Sequence, residues 1–142
     1  MSCKDTRYRR GGGFSLVEIM IVVVIMGLLA GVVTLSVRSY MDRARVNTAR
    51  NEIATIRHAL ETFYATYGRY PSNDEGLEAL TKSSEKLPAA PLEGDLVDPW
   101  GNAYQYNSPG REGPYEVICY GADGREGGDG IDSDITSDDL KE

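Results

Sequence analysis

FSLVEIMIVVVIMGLLAGVVTLSV, residues 14–37, decides how the rest of the chain is read. Positions 19 to 37 give 19 consecutive residues without a charge. At about 1.5 Å per helical residue this spans roughly 28 Å, close to the hydrocarbon thickness of a bilayer. Val22, Val23 and Val24 are β-branched and poor helix formers in water. In lipid the backbone has to satisfy its own hydrogen bonds, which restores the helix. The stretch is therefore read as a membrane-spanning helix. Gly27 and Gly31 stand four residues apart, a spacing that lets a second helix approach closely. Two glycines merely tolerated in a membrane helix read equally well.

The 142 residues hold 15 Lys+Arg against 22 Asp+Glu, a formal net charge of −7, unevenly spread. Lys4, Arg7, Arg9 and Arg10 against Asp5 give the first 13 residues a net of +3, so everything from Phe14 onward carries −10. Basic residues before an apolar helix hold that end in the cytoplasm and leave the remainder outside. A secretory signal peptide places its small residues and cleavage site after the apolar region. Here Gly11, Gly12 and Gly13 precede it, so cleavage after them would leave the apolar segment as the new N-terminus. Glu18 sits inside the apolar run, and a carboxylate in lipid costs several kcal/mol unless paired or neutralised. The α-amine of Phe14, freed by that cleavage, is one partner; a position at the headgroup level is the other reading.

Gly13-Phe14-Ser15-Leu16-Val17-Glu18 resembles the class III signal of type IV pilins and pseudopilins. The resemblance implies that a prepilin peptidase cuts between Gly13 and Phe14 and that the new amine of Phe14 is methylated. It also implies that Glu18 guides subunit docking.

From Phe14 to Tyr70 there is no proline, and the only glycines are Gly27, Gly31 and Gly68. Arg38, Arg43, Arg45, Arg50 and Arg57 mix with Asp42 and Glu52 on a polar helix surface. Ala49, Ile53, Ile56, Leu60, Phe63 and Tyr67 recur at helical spacing as one apolar stripe. A coiled-coil seam is the alternative, but Phe63, Tyr64 and Tyr67 suit a globular core. Gly68 is placed to cap the helix and Pro71 to stop it resuming. One helix from Phe14 to about Tyr67 would be roughly 80 Å long. His58 falls off the stripe and is read as exposed.

Asp74 to Leu80 is predicted to be a short helix with acids at its N-terminus, where the dipole favours them. Residues 81–97 read as a surface loop, rich in Ser, Pro and charge. Asp98-Pro99-Trp100-Gly101-Asn102 is a turn, residues 103–106 a strand, Asn107-Ser108-Pro109-Gly110 a second turn, and residues 115–120 a second strand, together an antiparallel hairpin. Cys119 reads as a small core residue.

Gly68-Arg69-Tyr70-Pro71, Glu75-Gly76-Leu77, Asp98-Pro99-Trp100-Gly101, Ser108-Pro109-Gly110 and Gly121-Ala122-Asp123-Gly124, in that order, are similar to the G-type major pseudopilins of type II secretion. With the leader, the resemblance runs over nearly the whole chain. Type IV pilins share the leader but often end in a disulfide loop, which one mature cysteine cannot make. The family commonly carries a proline near the end of the membrane helix. Here that region reads Val32-Val33-Thr34-Leu35-Ser36, so a plain continuous helix is expected.

The acidic end is the remaining motif. Asp123, Asp129, Asp132 and Asp134 lie among several glycines, and residues 123–142 carry eight acids. Ca²⁺ takes six to eight oxygens in flexible geometry, and a glycine-rich loop lets carbonyls join carboxylates. The spacing is not that of an EF-hand, and composition alone reads equally as a site or as an unstructured acidic loop. The family resemblance implies Ca²⁺ binding here, with Asp123, Asp132 and Asp134 as side-chain ligands. Asp129 is a weaker candidate, and the Tyr120 carbonyl a possible contributor.

Several classes fall away. An acidic body lacks the basic surface that nucleic acid requires. Two cysteines and a single histidine offer neither a disulfide scaffold nor zinc spacing. No nucleophile or acid–base constellation forms around His58, so no enzyme is expected.

The expected fold is α+β and type IV pilin-like: a long N-terminal helix, its first half membrane-spanning, packed on a small antiparallel β-sheet head. The expected organisation is a cleaved leader (1–13), an assembly helix segment (14–37) and a periplasmic head (38–142). The head divides into helix to about residue 67, loop (68–97), hairpin (98–120), and calcium loop with tail (121–142). The resemblance implies a homopolymer anchored in the bacterial inner membrane before assembly into a pseudopilus. Minor pseudopilins, the prepilin peptidase and the inner-membrane secretion platform are the implied partners. A type IV pilin, a minor pseudopilin or a non-polymerising, membrane-tethered Ca²⁺-binding module are the alternatives. The head would be small enough that a metal staple would help to stabilise it.

Overall fold

The computed structural model describes the backbone of residues 12–140 and the side chains of all of these but 33–36. The basic residues of the leader and Cys3 lie outside the described residues. The chain divides into two compact units, Met1–Ser39 and Tyr40–Glu142. One helix, α1, runs over Leu16–Tyr67, 52 residues, and enters both. It is unbroken through residues 32–36, as the missing proline leads one to expect.

In the first unit, the Glu18 and Ile19 amides donate to the Ser15 carbonyl at 3.0 and 3.3 Å, which sets the first turn. The large apolar side chains described there are exposed, from Phe14 at 80% to Val22 at 46%. By length and composition this part of α1 can cross a membrane.

The second unit builds a core around the C-terminal part of α1. Ala49, Ile53, Ile56, Leu60 and Phe63 are buried, and Ala59 joins them from beside the stripe. Tyr67, at the end of the stripe, packs against the core only partly buried. His58 is exposed. The helix ends as its sequence dictates: Gly68 turns left-handed (φ 70°) and its amide donates to the Tyr64 carbonyl at 2.8 Å.

Three short strands cover the stripe. β1 (Gln105–Asn107), β2 (Glu116–Cys119) and β3 (Ile135–Thr136) form an antiparallel sheet in the order β1-β2-β3. Tyr106 pairs with Val117 and Cys119 with Ile135. Alternation along β2 sends Val117 and Cys119 into the core cluster that contains the α1 stripe. All four β2 residues are buried, in a strand paired on both sides. At the helix end, Tyr70 lies against Tyr64 (4.7 Å between centroids) and Tyr115 (4.8 Å), and the Tyr70 and Tyr115 hydroxyls both donate to Glu61.

Three expectations are corrected. The helix predicted from Asp74 is a 3₁₀ turn at Leu77–Thr81, preceded by a turn in which Gly76 takes φ 58°. Its acid is used elsewhere: Glu75 receives both terminal nitrogens of Arg69, at 2.6 and 2.8 Å, and the Ser72 amide at 2.8 Å. The first strand starts later than predicted, with Ala103 making only an isolated bridge to Val97. The hairpin is a three-stranded sheet, because β3 comes from within the acidic tail. Two residues are too few to show an alternating pattern.

Arg69 and the Ser72 amide hold the Glu75 carboxyl well below its ordinary range, at about 2. A carboxylate with a depressed folded pKa stabilises fully above its unfolded value, and that contribution is lost as pH falls toward 2. A Glu75→Gln head should therefore melt below the native head at neutral pH, with the gap closing between pH 4.5 and 2. In the core, Leu60→Ala should lower the unfolding free energy by about 2–5 kcal/mol in urea titration.

Candidate functional site

Two regions carry the candidate residues, and they lie in separate units. In the first, Gly13 and Phe14 are exposed and precede the helix, so the bond between them sits in non-helical backbone. A Cβ added at Gly13 would meet nothing within 4 Å. Glycine at this position therefore answers to no contact among the described residues. Glu18 lies in the first turn of α1, on an exposed position.

The second region is the loop between β2 and β3. It is built on the turn at Asp98, a buried acid whose Oδ1 accepts the Trp100 and Asn102 amides at 2.9 and 2.8 Å. Its Oδ2 accepts from the Cys119 thiol at 3.2 Å. Burial, with Asp98 adding to it, pushes that thiol up to about 12, so it stays protonated and acts as a donor. The turn fixes Asn102, whose Nδ2 donates to the Gly121 carbonyl at 3.2 Å and whose side chain lies under Gly124. The loop is thereby tied to the turn at its start. Sequence reading missed Asn102 as an anchor; the Asp98-to-Asn102 turn chemistry was the available signal.

The aspartates are placed unequally. Asp123 is exposed, and its Oδ1 accepts the Arg125 amide at 3.1 Å. Asp129 is exposed at the start of a 3₁₀ turn, Gly130–Asp132. Asp132 is half-buried, and its backbone presses so closely on Gly128 that a Cβ there would sit 2.5 Å from the Asp132 carbonyl oxygen. Asp134 is half-buried; its Oδ2 accepts the Gly127 amide at 3.0 Å, while its Oδ1 is buried without a hydrogen-bond partner. Tyr120 is half-buried at the end of β2. Among the described residues, no three carboxylate, thiol or imidazole side chains converge as a metal-binding group. The Asp132 backbone and Asp134 are thus brought in around the glycines.

A buried carboxylate oxygen without a partner is costly, and a hard cation is the chemistry that would satisfy it. The loop fits Ca²⁺ in that respect, and with its glycines it has backbone carbonyls to complete a donor set that side chains alone do not supply. The tail beyond is firmly held. Ser137 is buried, exchanging bonds with Val117 through its Oγ (3.1 Å) and its amide (2.8 Å), and Arg57 donates to the Leu140 carbonyl at 2.8 Å. Native-state labelling at pH 8 should leave Cys119 unmodified by a thiol reagent, whereas Asp98→Asn should speed its modification by loosening the turn above it.

Residues 36–138 match the family model described as type II secretion system, protein G, and residues 8–34 match the prokaryotic N-terminal methylation motif. The chain is 45% identical over 134 residues to the type II secretion system core protein G of Pseudomonas aeruginosa, covering 89% of this chain and 94% of that one. It is 41% identical to the core protein G of Vibrio cholerae, covering 91% and 92%. The crystal structure of the major pseudopilin from the type 2 secretion system of enterohaemorrhagic Escherichia coli shares the fold. The TM-score is 0.55 at 24% identity, covering 69% of this chain and 90% of that one.

Proposed function

This chain belongs to the type II secretion system protein G family and is a major pseudopilin, and from that membership we propose how it is processed, held and assembled. It is a structural subunit. The observation that carries the assembly reading is the exposure of the apolar part of α1, where Leu28 stays 69% and Val24 62% accessible. A surface this apolar has to be covered, by lipid before assembly and by neighbouring α1 helices after it. Burial then persists while the covering partner changes, so polymerisation need not expose the segment to water.

The topology that follows places the N-terminus in the cytoplasm and the head in the periplasm, with the inner membrane around the first part of α1. A prepilin peptidase cuts between Gly13 and Phe14, in backbone that is not yet helical, and methylates Phe14. Glu18, in the first turn, meets the Phe14 amine of a neighbouring copy, which removes a lone carboxylate from the apolar phase. Minor pseudopilins and the inner-membrane secretion platform are the further partners. The filament drives folded proteins across the outer membrane.

Ca²⁺ belongs to the same reading. Asp123, Asp132 and Asp134 would hold it, with carbonyls near Tyr120 and a weaker part for Asp129. The support is the unpartnered Asp134 oxygen beside the tightly approached Gly128. The ion supplies positive charge to a crowded acidic loop. The residues themselves fix the loop between β2 and β3, and so the surface that the head presents to its neighbours.

Two experiments test this. The full chain, produced with its secretion machinery and examined by electron microscopy after shearing, should yield filaments; Glu18→Ala should insert into the membrane and yield few. Filaments from Glu18→Ala in native amounts would remove the pairing role. The head should melt several degrees higher with calcium than with chelator, and Asp134→Ala should abolish the difference. Equal melting temperatures for the native head would dismiss the ion.

A further inference from the structure

Within the second unit, α1 carries two depressions of opposite charge. Arg43 and Arg50 are seven residues apart, hence within about 20° of each other around the helix. They line a groove of about 370 Å³ whose other wall is Gly130 and Ile131, the 3₁₀ turn of the β2–β3 loop. Both arginines are exposed, and among the described residues neither forms an ion pair. Ile131 is 38% exposed beside them.

Glu52 is nine residues beyond Arg43, which places it about 180° around the same helix. A cleft of about 270 Å³ opens there, lined by Glu52, Tyr104 and residues 92–96. The Glu52 carboxylate is engaged by the Tyr104 hydroxyl. Glu93 and Asp95 are exposed and, among the described residues, form no ion pair. One side of the head thus offers two exposed guanidinium groups, and the opposite side two exposed carboxylates on the 92–96 loop.

A surface and its complement on opposite sides of one subunit cannot be satisfied by a two-fold dimer. They are satisfied head-to-tail, which generates an open helical array wherever the rotation does not close into a ring. We infer that the Arg43–Arg50 groove of one subunit receives the 92–96 loop of a second copy, with Glu93 and Asp95 pairing with the two guanidinium groups. This rests on the filament reading above and names the head contact within it. Arginine suits the role because its planar fork binds a carboxylate through two parallel hydrogen bonds. Exposed pairs of this kind add little bulk affinity, which the apolar helix supplies. They set register and exclude wrong partners, since juxtaposed like charges are costly. Because Ile131 forms the far wall, the β2–β3 loop shapes the receiving groove directly.

Charge reversal tests the pairing in the full chain. Arg43→Glu with Arg50→Glu should cut the yield of sheared filaments by about tenfold, as should Glu93→Arg with Asp95→Arg. All four changes in one chain restore the pairs with signs exchanged and should recover filaments to within about threefold. A second measurement does not depend on yield. Arg50→Cys combined with Asp95→Cys should give an intermolecular disulfide ladder in assembled filaments, and neither change alone should. Native yields from both reversals, or no recovery in the fourfold variant alongside no ladder, would overturn the inference. A native chain that makes no filaments would overturn the filament reading itself, which keeps the two failures apart.

Discussion

The contact between the α1 stripe and β2 is the one on which the head depends. Ile53 and Leu60 present no surface to water, and Val117 and Cys119 meet that cluster from the central strand. Since β2 has only four residues, its hydrogen bonds to β1 and β3 are too few to make an independent sheet. The strands hold together because the helix gives them an apolar face to cover. The same stripe belongs to the helix whose earlier residues are exposed and apolar. A single element thus carries both the core of the head and the part that needs lipid or neighbours.

Around that core, polar groups are used as fasteners where apolar area runs short. The Tyr70 and Tyr115 hydroxyls converge on Glu61, Asp98 gathers two amides and a thiol, and Ser137 pins the tail to Val117. Asp98 and Ser137 satisfy groups that would otherwise be buried at a cost, and all three clusters join segments apart in sequence. The β2–β3 loop is held in this way at its start by Asn102 and at its end by β3. Its middle, with the unpartnered Asp134 oxygen, is left to the metal proposed above.

Much of this is legible in the sequence, because it rests on local periodicity or on a single residue's stereochemistry. The stripe from Ala49 to Phe63 repeats at helical spacing, Gly68 ends the helix in the left-handed region, and the exposure of His58 follows from its place off the stripe. The helix predicted at Asp74 failed for a reason that sequence does not carry. Glu75 binds Arg69 and the Ser72 amide instead of capping a helix, and that choice is made by how the chain folds back after Gly68. β3 was missed because two residues hold no pattern, and its place is fixed by pairing with β2.

The sequence alone determined a long helix with an uncharged apolar start, an amphipathic continuation, a processing signal before it and an acidic glycine-rich loop near its end. All of these are properties of neighbouring residues, set by hydrophobic period, charge and backbone freedom. Tertiary structure decided what distant residues do to one another: that Asn102 anchors the loop at Gly121, that Cys119 donates to Asp98, and that the tail returns as a strand. It also decided that Asp134 keeps a buried oxygen without a hydrogen-bond partner. Such pairings depend on which surfaces meet once the core has closed, and no local pattern encodes them.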